Sequence, residues 1–113
     1  MNSTQLQSIN PKNNTKIKSW DIPSYNKINS IIKSTSDAQL IWEKTNLDFR
    51  VSIIKELSSG LKDQKKELST LMADEIGKPI SQGELEINKC ILLCDYYSEI
   101  SKHTLSRNNI ETE

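Results

Sequence analysis

The side chains best suited to covalent or metal chemistry in this sequence are Cys90, Cys94, His103 and the carboxylates Glu84 and Glu86. A thiol pair could hold a metal or cycle through a redox couple. A metal site needs further ligands, however, and the sequence contains no other cysteine and a single histidine. Cys90 and Cys94 stand four apart on a helical pattern, which is poor geometry for a disulfide. A reactive thiol also needs an electropositive, exposed setting. These two fall on an apolar helix face, which predicts small core residues in a reducing compartment, the cytoplasm. His103 belongs to no locally supported Ser-His-Asp set and reads as a surface group near a helix end. Glu84 and Glu86 flank Leu85, so on a helix they diverge, whereas acid–base work needs converging carboxylates. The three glycines are scattered, so no phosphate-cradling loop is formed.

The elements that would position any site come from a short and polar chain. A length of 113 residues allows one domain at most. Hydrophobic residues make up 35% and aromatics 5%, with a mean hydropathy of −0.60. Globular domains usually reach about 45–50% apolar, glycine included. The expected core is therefore thin, and either much of the chain is solvated helix or its apolar faces await partners. Fifteen basic and fifteen acidic residues cancel, so neither nucleic acid nor a membrane surface is an expected partner. Lys65 and Lys66, flanked by Asp63 and Glu67, read as a solvated helix face. No basic, apolar leader opens the chain, and no stretch approaches the roughly 20 apolar residues that span a bilayer.

Along the chain, 6–22 reads as a hairpin turned at Asn10-Pro11-Lys12-Asn13-Asn14, all turn formers. Thr15 to Trp20 alternates polar and apolar, predicting a strand with one buried face. Ser24 is an N-cap candidate for a helix over 24–44. The Ser34-Thr35-Ser36 run weakens that helix, so packing is expected to hold it. Asn46 caps a second helix striped by Leu47, Val51, Ile54, Leu57 and Leu61, with Gly60 placed to break or bend it. Leu68, Leu71, Met72 and Ile76 mark a third helix, ending at Gly77, a residue suited to left-handed φ. Pro79 fits the first turn of a fourth. There Ile87, Cys90, Ile91, Cys94 and Tyr97 share a face, and Leu92, Leu93 and Tyr96 widen it. A helix so broadly apolar is normally covered on several sides. The expected division is a disordered 1–5, a hairpin and four-helix body over 6–106, and a truncated tail at 107–113.

The order of these pieces resembles the start of the aldehyde dehydrogenase family. Ile9-Asn10-Pro11 resembles the turn that opens that family's hairpin. Ala38, Gln39 and Trp42 resemble the end of its first helix, and Leu47, Arg50 and Ile54 to Leu57 its second. Glu67-Leu68 and Glu75-Ile76-Gly77-Lys78-Pro79 look like its following segment. The run from Lys78 through Glu84, with Glu86, Lys89-Cys90 and Tyr96-Tyr97, is similar to the succinate-semialdehyde dehydrogenase branch. The resemblance is collinear from Ile9 to Ser106.

That resemblance implies a fold class: mainly α with an N-terminal β-hairpin, an N-terminal fragment of the α/β aldehyde dehydrogenase fold without its Rossmann-type sheet. It implies a parent oxidoreductase that takes a small aldehyde, succinate semialdehyde or a near relative, to the acid with NAD or NADP. In the family a catalytic Cys attacks the aldehyde, hydride passes to the nicotinamide, and a Glu activates the water that hydrolyses the thioester. An Asn side chain and a backbone N–H hold the oxyanion. The resemblance places those residues, and the cofactor site, beyond this chain, so no catalytic or cofactor-binding residue is expected here and Cys90 and Cys94 are not matched to the nucleophile. The expected partners are the rest of the same polypeptide, with its nucleotide-binding sheet and catalytic domain, and further copies in a homo-oligomer. Some members hold a structural monovalent cation beside the opening turn. The matching positions are Ser8, Ile9 and Glu75, and oxygen donors suit a hard cation. The rival class is a self-contained helical module that binds a partner protein through the fourth helix.

Overall fold

A computed structural model describes residues 5–106 of the chain. The expected segments at 1–4 and 107–113 lie outside the described residues. The order is β1 (Gln5–Ile9), β2 (Lys16–Asp21), α1 (Tyr25–Trp42), α2 (Leu47–Asp63), α3 (Lys65–Ile76) and α4 (Ile80–Thr104). This is a mainly α architecture with an amino-terminal β-hairpin. Gln5, expected in the disordered start, is already the first residue of β1.

The strands pair antiparallel, with Leu6 opposite Trp20 and Ser8 opposite Lys18, and a bulge between Ser8 and Ile9. The turn forms as its residue types require. Asn10 Oδ1 accepts from Lys12 N at 2.9 Å and Asn13 Oδ1 from Thr15 N at 3.0 Å. Asn14 takes the left-handed conformation at φ 59°, which asparagine tolerates better than most residues. The expectation of a buried strand face is corrected: Leu6, Ile9, Ile17 and Trp20 are all exposed. Among the described residues no second layer covers the hairpin's faces, and an isolated two-stranded hairpin is marginal in water.

Each helix starts or stops where its cap chemistry dictates. Ser24 Oγ accepts from Lys27 N at 3.3 Å, and Asn46 Oδ1 from Phe49 N at 2.7 Å. Gly77 ends α3 at φ 70°. Pro79 occupies the N-cap of α4, one position before the expected first turn. The break between α2 and α3 falls at Gln64, whose φ and ψ of −94° and 5° leave the helical basin. Gly60, expected to break the helix, stays inside α2. The apolar stripe crosses Gly60 without losing its period, although Leu57 beside it is 51% exposed.

Residue pairings show that α2 and α3 run antiparallel to α4 along its length. Lys102 meets Asp48, Ser58 meets Asp95, Lys65 meets Asn88 and Ser69 meets Gly83. The buried residues lie on this seam: Ser58 and Ser69 on one side, and Gly83, Ile87, Ile91 and Ser98 on the other. Only Ile87 (3% exposed) and Ile91 (9%) are buried hydrophobics among the described residues. Small side chains therefore set the helix spacing. Helix α1 buries none of its residues, so packing does not hold it as expected. Its local support is the Ser24 cap, with Ser34 and Thr35 hydroxyls bonded to the Ile31 carbonyl. The radius of gyration is 20.0 Å, against about 13 Å for a compact domain of this size. The molecule is an open layer.

A Cβ at position 83 would lie 3.1 Å from Ser69 Cβ and 3.2 Å from its Cα, whereas one at position 60 meets nothing within 4 Å. Gly83→Val should therefore destabilise by about 1–3 kcal/mol through forced separation of α3 and α4. Gly60→Ala should stabilise by roughly 0.5–1 kcal/mol. Urea unfolding followed by circular dichroism measures both.

Candidate functional site

The hairpin is fastened to the helical layer at one corner, where α3 ends. Ser8 Oγ donates to Glu75 Oε1 at 2.7 Å, and Asn10 Nδ2 donates to Asp74 Oδ1 at 3.3 Å. The Pro11 ring reaches within 3.4 Å of the point where a Cβ would stand on Gly77. The turn is thus clamped by two side-chain bonds and packed on the glycine that stops α3. Of the three residues expected to surround a cation, the structure brings Ser8 and Glu75 into direct contact, and Ile9 is their immediate neighbour at the bulge. Both contacting side chains are half-buried, which strengthens a hydrogen bond to a charged acceptor. Lys78 pairs with Glu86 beside the same corner, tying the link between α3 and α4 to the first coils of α4.

A second polar cluster sits at the middle of the seam. Ser58 Oγ donates to Asp95 Oδ1 at 2.6 Å, and Lys62 Nζ lies 3.2 Å from Asp95 Oδ2. The Ser58 hydrogen bond, followed by the Lys62 ammonium, holds the Asp95 carboxyl below the ordinary carboxylate range. Ser58 is buried, and its hydroxyl would be an unmet donor without Asp95. This arrangement can register α2 against α4. The Lys62–Asp95 and Lys102–Asp48 pairs are exposed and contribute little by themselves.

The remaining groups weighed from the sequence do not assemble. Cys90 is exposed and Cys94 half-buried, both free. This corrects their expected place in the core: the covered arc of α4 passes through Gly83, Ile87, Ile91 and Ser98, and Cys90 lies off it. Among the described residues, no three His, Cys, Asp or Glu side chains are grouped to hold a metal. No described helix is long and apolar enough to cross a membrane. Sequence pattern did not single out Asn10, Asp74, Ser58 or Asp95 as interacting residues. Their contacts join positions 37 to 64 apart, which local periodicity does not reach. The available signal was the small residues Ser58, Ser69, Gly83 and Ser98, which mark close helix approach.

The described residues thus form a hairpin arm clamped to the corner of an open helical layer. The chain belongs to the aldehyde dehydrogenase family, whose model matches residues 1–113. It is similar to succinate semialdehyde dehydrogenase (NAD(P)+) Sad of Escherichia coli, with 27% identity over 97 residues, 86% of this chain and 21% of that protein. Aldehyde dehydrogenase family 7 members of Malus domestica and Pisum sativum are 24% and 26% identical over 86% and 89% of this chain. The chain spans about a fifth of the length of these curated relatives.

Two outcomes test the polar clusters. Ser8→Ala and Glu75→Gln should each destabilise by about 1 kcal/mol, and together by less than their sum because they remove one bond. Thermal unfolding of the two single variants and the double variant reads this. For Asp95, the folded pKa lies below the unfolded one. The cluster's contribution is therefore full above the unfolded value of about 3.9 and is lost as pH falls through the folded value. NMR titration of the carboxyl carbon should show Asp95 protonating at lower pH than an ordinary aspartate, and Ser58→Ala should move it back up.

Proposed function

We propose that this chain is the amino-terminal scaffold segment of an enzyme that oxidises a small aldehyde to its carboxylic acid with NAD or NADP. Family membership over the whole chain supports the aldehyde-oxidising activity. Similarity to a succinate semialdehyde dehydrogenase supports succinate semialdehyde as the first substrate to try. In this reading the segment supplies the hairpin arm and a helical layer. The nucleophile, the water-activating carboxylate, the oxyanion donors and the nicotinamide site come from the rest of the polypeptide, which assembles as a homo-oligomer. Two free cysteines fit a reducing compartment, and we place the enzyme in the cytoplasm.

The observation that carries the scaffold role is the outer face of α4. Leu85, Leu92 and Tyr96 fall at helical spacing, with Leu93 beside them, and are 67%, 67%, 52% and 47% exposed. An exposed apolar stripe of this kind, although interrupted by Asn88 and Lys89, marks a surface that is covered in the working molecule. The nucleotide-binding sheet of the parent is the element we assign to it.

The hairpin corner is also our candidate for a structural monovalent cation, with backbone oxygens at Ser8 and Ile9 and the Glu75 carboxylate as donors. A single carboxylate among neutral oxygens suits a hard monovalent ion better than a transition metal. Potassium or sodium should raise the melting temperature above that in a bulky organic cation at equal ionic strength, and Glu75→Gln should remove the difference.

Reduced nicotinamide formation from succinate semialdehyde tests the main reading. The enzyme containing this segment should turn the aldehyde over with NAD or NADP, and the isolated chain should not. Turnover by the isolated chain would contradict the scaffold role. A parent inactive on every aldehyde would contradict the activity.

A further inference from the structure

The amino-terminal half of α2 and the last turns of α4 enclose a groove of about 430 Å³ that no expected site accounts for. Its apolar wall is formed by Trp42, Leu47, Val51, Ile54, Tyr97 and Ile100. Four polar side chains interrupt that wall, Arg50 from α2 and Ser98, Ser101 and Thr104 from α4. Arg50 Nε and Ser98 Oγ are both buried and have no hydrogen-bond partner. Ser98 is only 7% exposed, so water does not readily replace the missing partner. Arg50 makes no ion pair among the described residues. A buried donor without an acceptor is costly, although Arg50 as a whole is only half-buried.

We propose that this groove binds an amphipathic monocarboxylate, with its carboxylate on Arg50 and Ser98 and its tail along Trp42, Leu47, Val51 and Ile54. Arg50 Nε can only donate and belongs to a cation, and the Ser98 hydroxyl can donate as well as accept, so an anionic acceptor meets both groups. Guanidinium and hydroxyl donors match the two oxygens of a carboxylate. Most of the remaining lining is apolar, with Ser101 and Thr104 the exceptions, so a bare inorganic anion would leave most of it in water. The volume falls within the roughly 300–1,000 Å³ range of small-molecule sites that combine apolar walls with few polar anchors. An aliphatic or aromatic acid of medium length satisfies all three requirements.

Decanoate and decanol share a tail and differ in the head group, so their comparison needs no change in the groove. In a Trp20→Phe background, Trp42 is the sole tryptophan and its fluorescence reports on the groove. Decanoate should give a saturable change and bind at least about tenfold more tightly than decanol, as expected for a charge-assisted pair. Arg50→Gln should abolish that preference, and Ser98→Ala should reduce it several-fold, with helix content by circular dichroism unchanged. Equal binding of decanoate and decanol, or no saturable binding of either, would overturn the proposal. The groove would then be an apolar seat for another stretch of polypeptide. Retention of the full preference in Arg50→Gln would overturn it as well.

Discussion

The distance between α3 and α4 is set where Ser69 meets Gly83, and the rest of the chain is arranged around that approach. Ser69 is fully buried although its side chain is small and polar. Its hydroxyl is satisfied within its own helix, by the Lys66 carbonyl at 3.0 Å. That local bond lets a serine sit in a helix interface without an unmet donor. Gly83 completes the fit by presenting no side chain at all. With the two helices this close, Ile87 and Ile91 can be covered by a layer one helix thick, and α2 continues the contact through Ser58 and Asp95.

A seam built from serines and a glycine buries little apolar area, and hydrophobic stabilisation follows that area. The consequence is visible on every other surface. Helix α1 has its apolar positions Ile28, Ile31 and Ile32 in water, and α4 shows Leu85 and Leu92 to solvent. These residues have the spacing of core faces but no core to enter. The hairpin would be free if Ser8 and Asn10 did not reach Glu75 and Asp74. Thin packing and broad exposure are two sides of one arrangement, an open layer held by a single narrow seam.

Local structure was legible in the sequence because its causes are local. Ser24, Asn46 and Gly77 stand at helix ends for reasons that act within a turn, and the asparagines bend the hairpin by bonding their own backbone. The placement of the interhelical break was not legible. Gly60 has the weaker propensity, yet α2, which meets α4 through Ser58, continues through it and the chain turns at Gln64 instead. The cysteines were misplaced for a related reason. Periodicity shows that α4 is apolar on a wide arc, and only the position of α2 and α3 decides which part of that arc is covered. At the candidate site, Ser8, Ile9 and Glu75 were legible through motif order. Asn10 with Asp74, and Ser58 with Asp95, depend on contacts between distant positions that no local pattern encodes.

We infer that other parts of an aldehyde dehydrogenase complete this open layer. Amide hydrogen exchange tests it most directly, comparing the isolated chain with the same residues inside the enzyme. The account predicts that in the isolated chain the seam amides near Ser58, Ser69, Gly83 and Ile91 are the best protected, while those of α1 exchange nearly as fast as unstructured peptide. Inside the enzyme, α1 and α4 should both gain strong protection. Strong protection of α1 in the isolated chain, or identical protection in both settings, would contradict it.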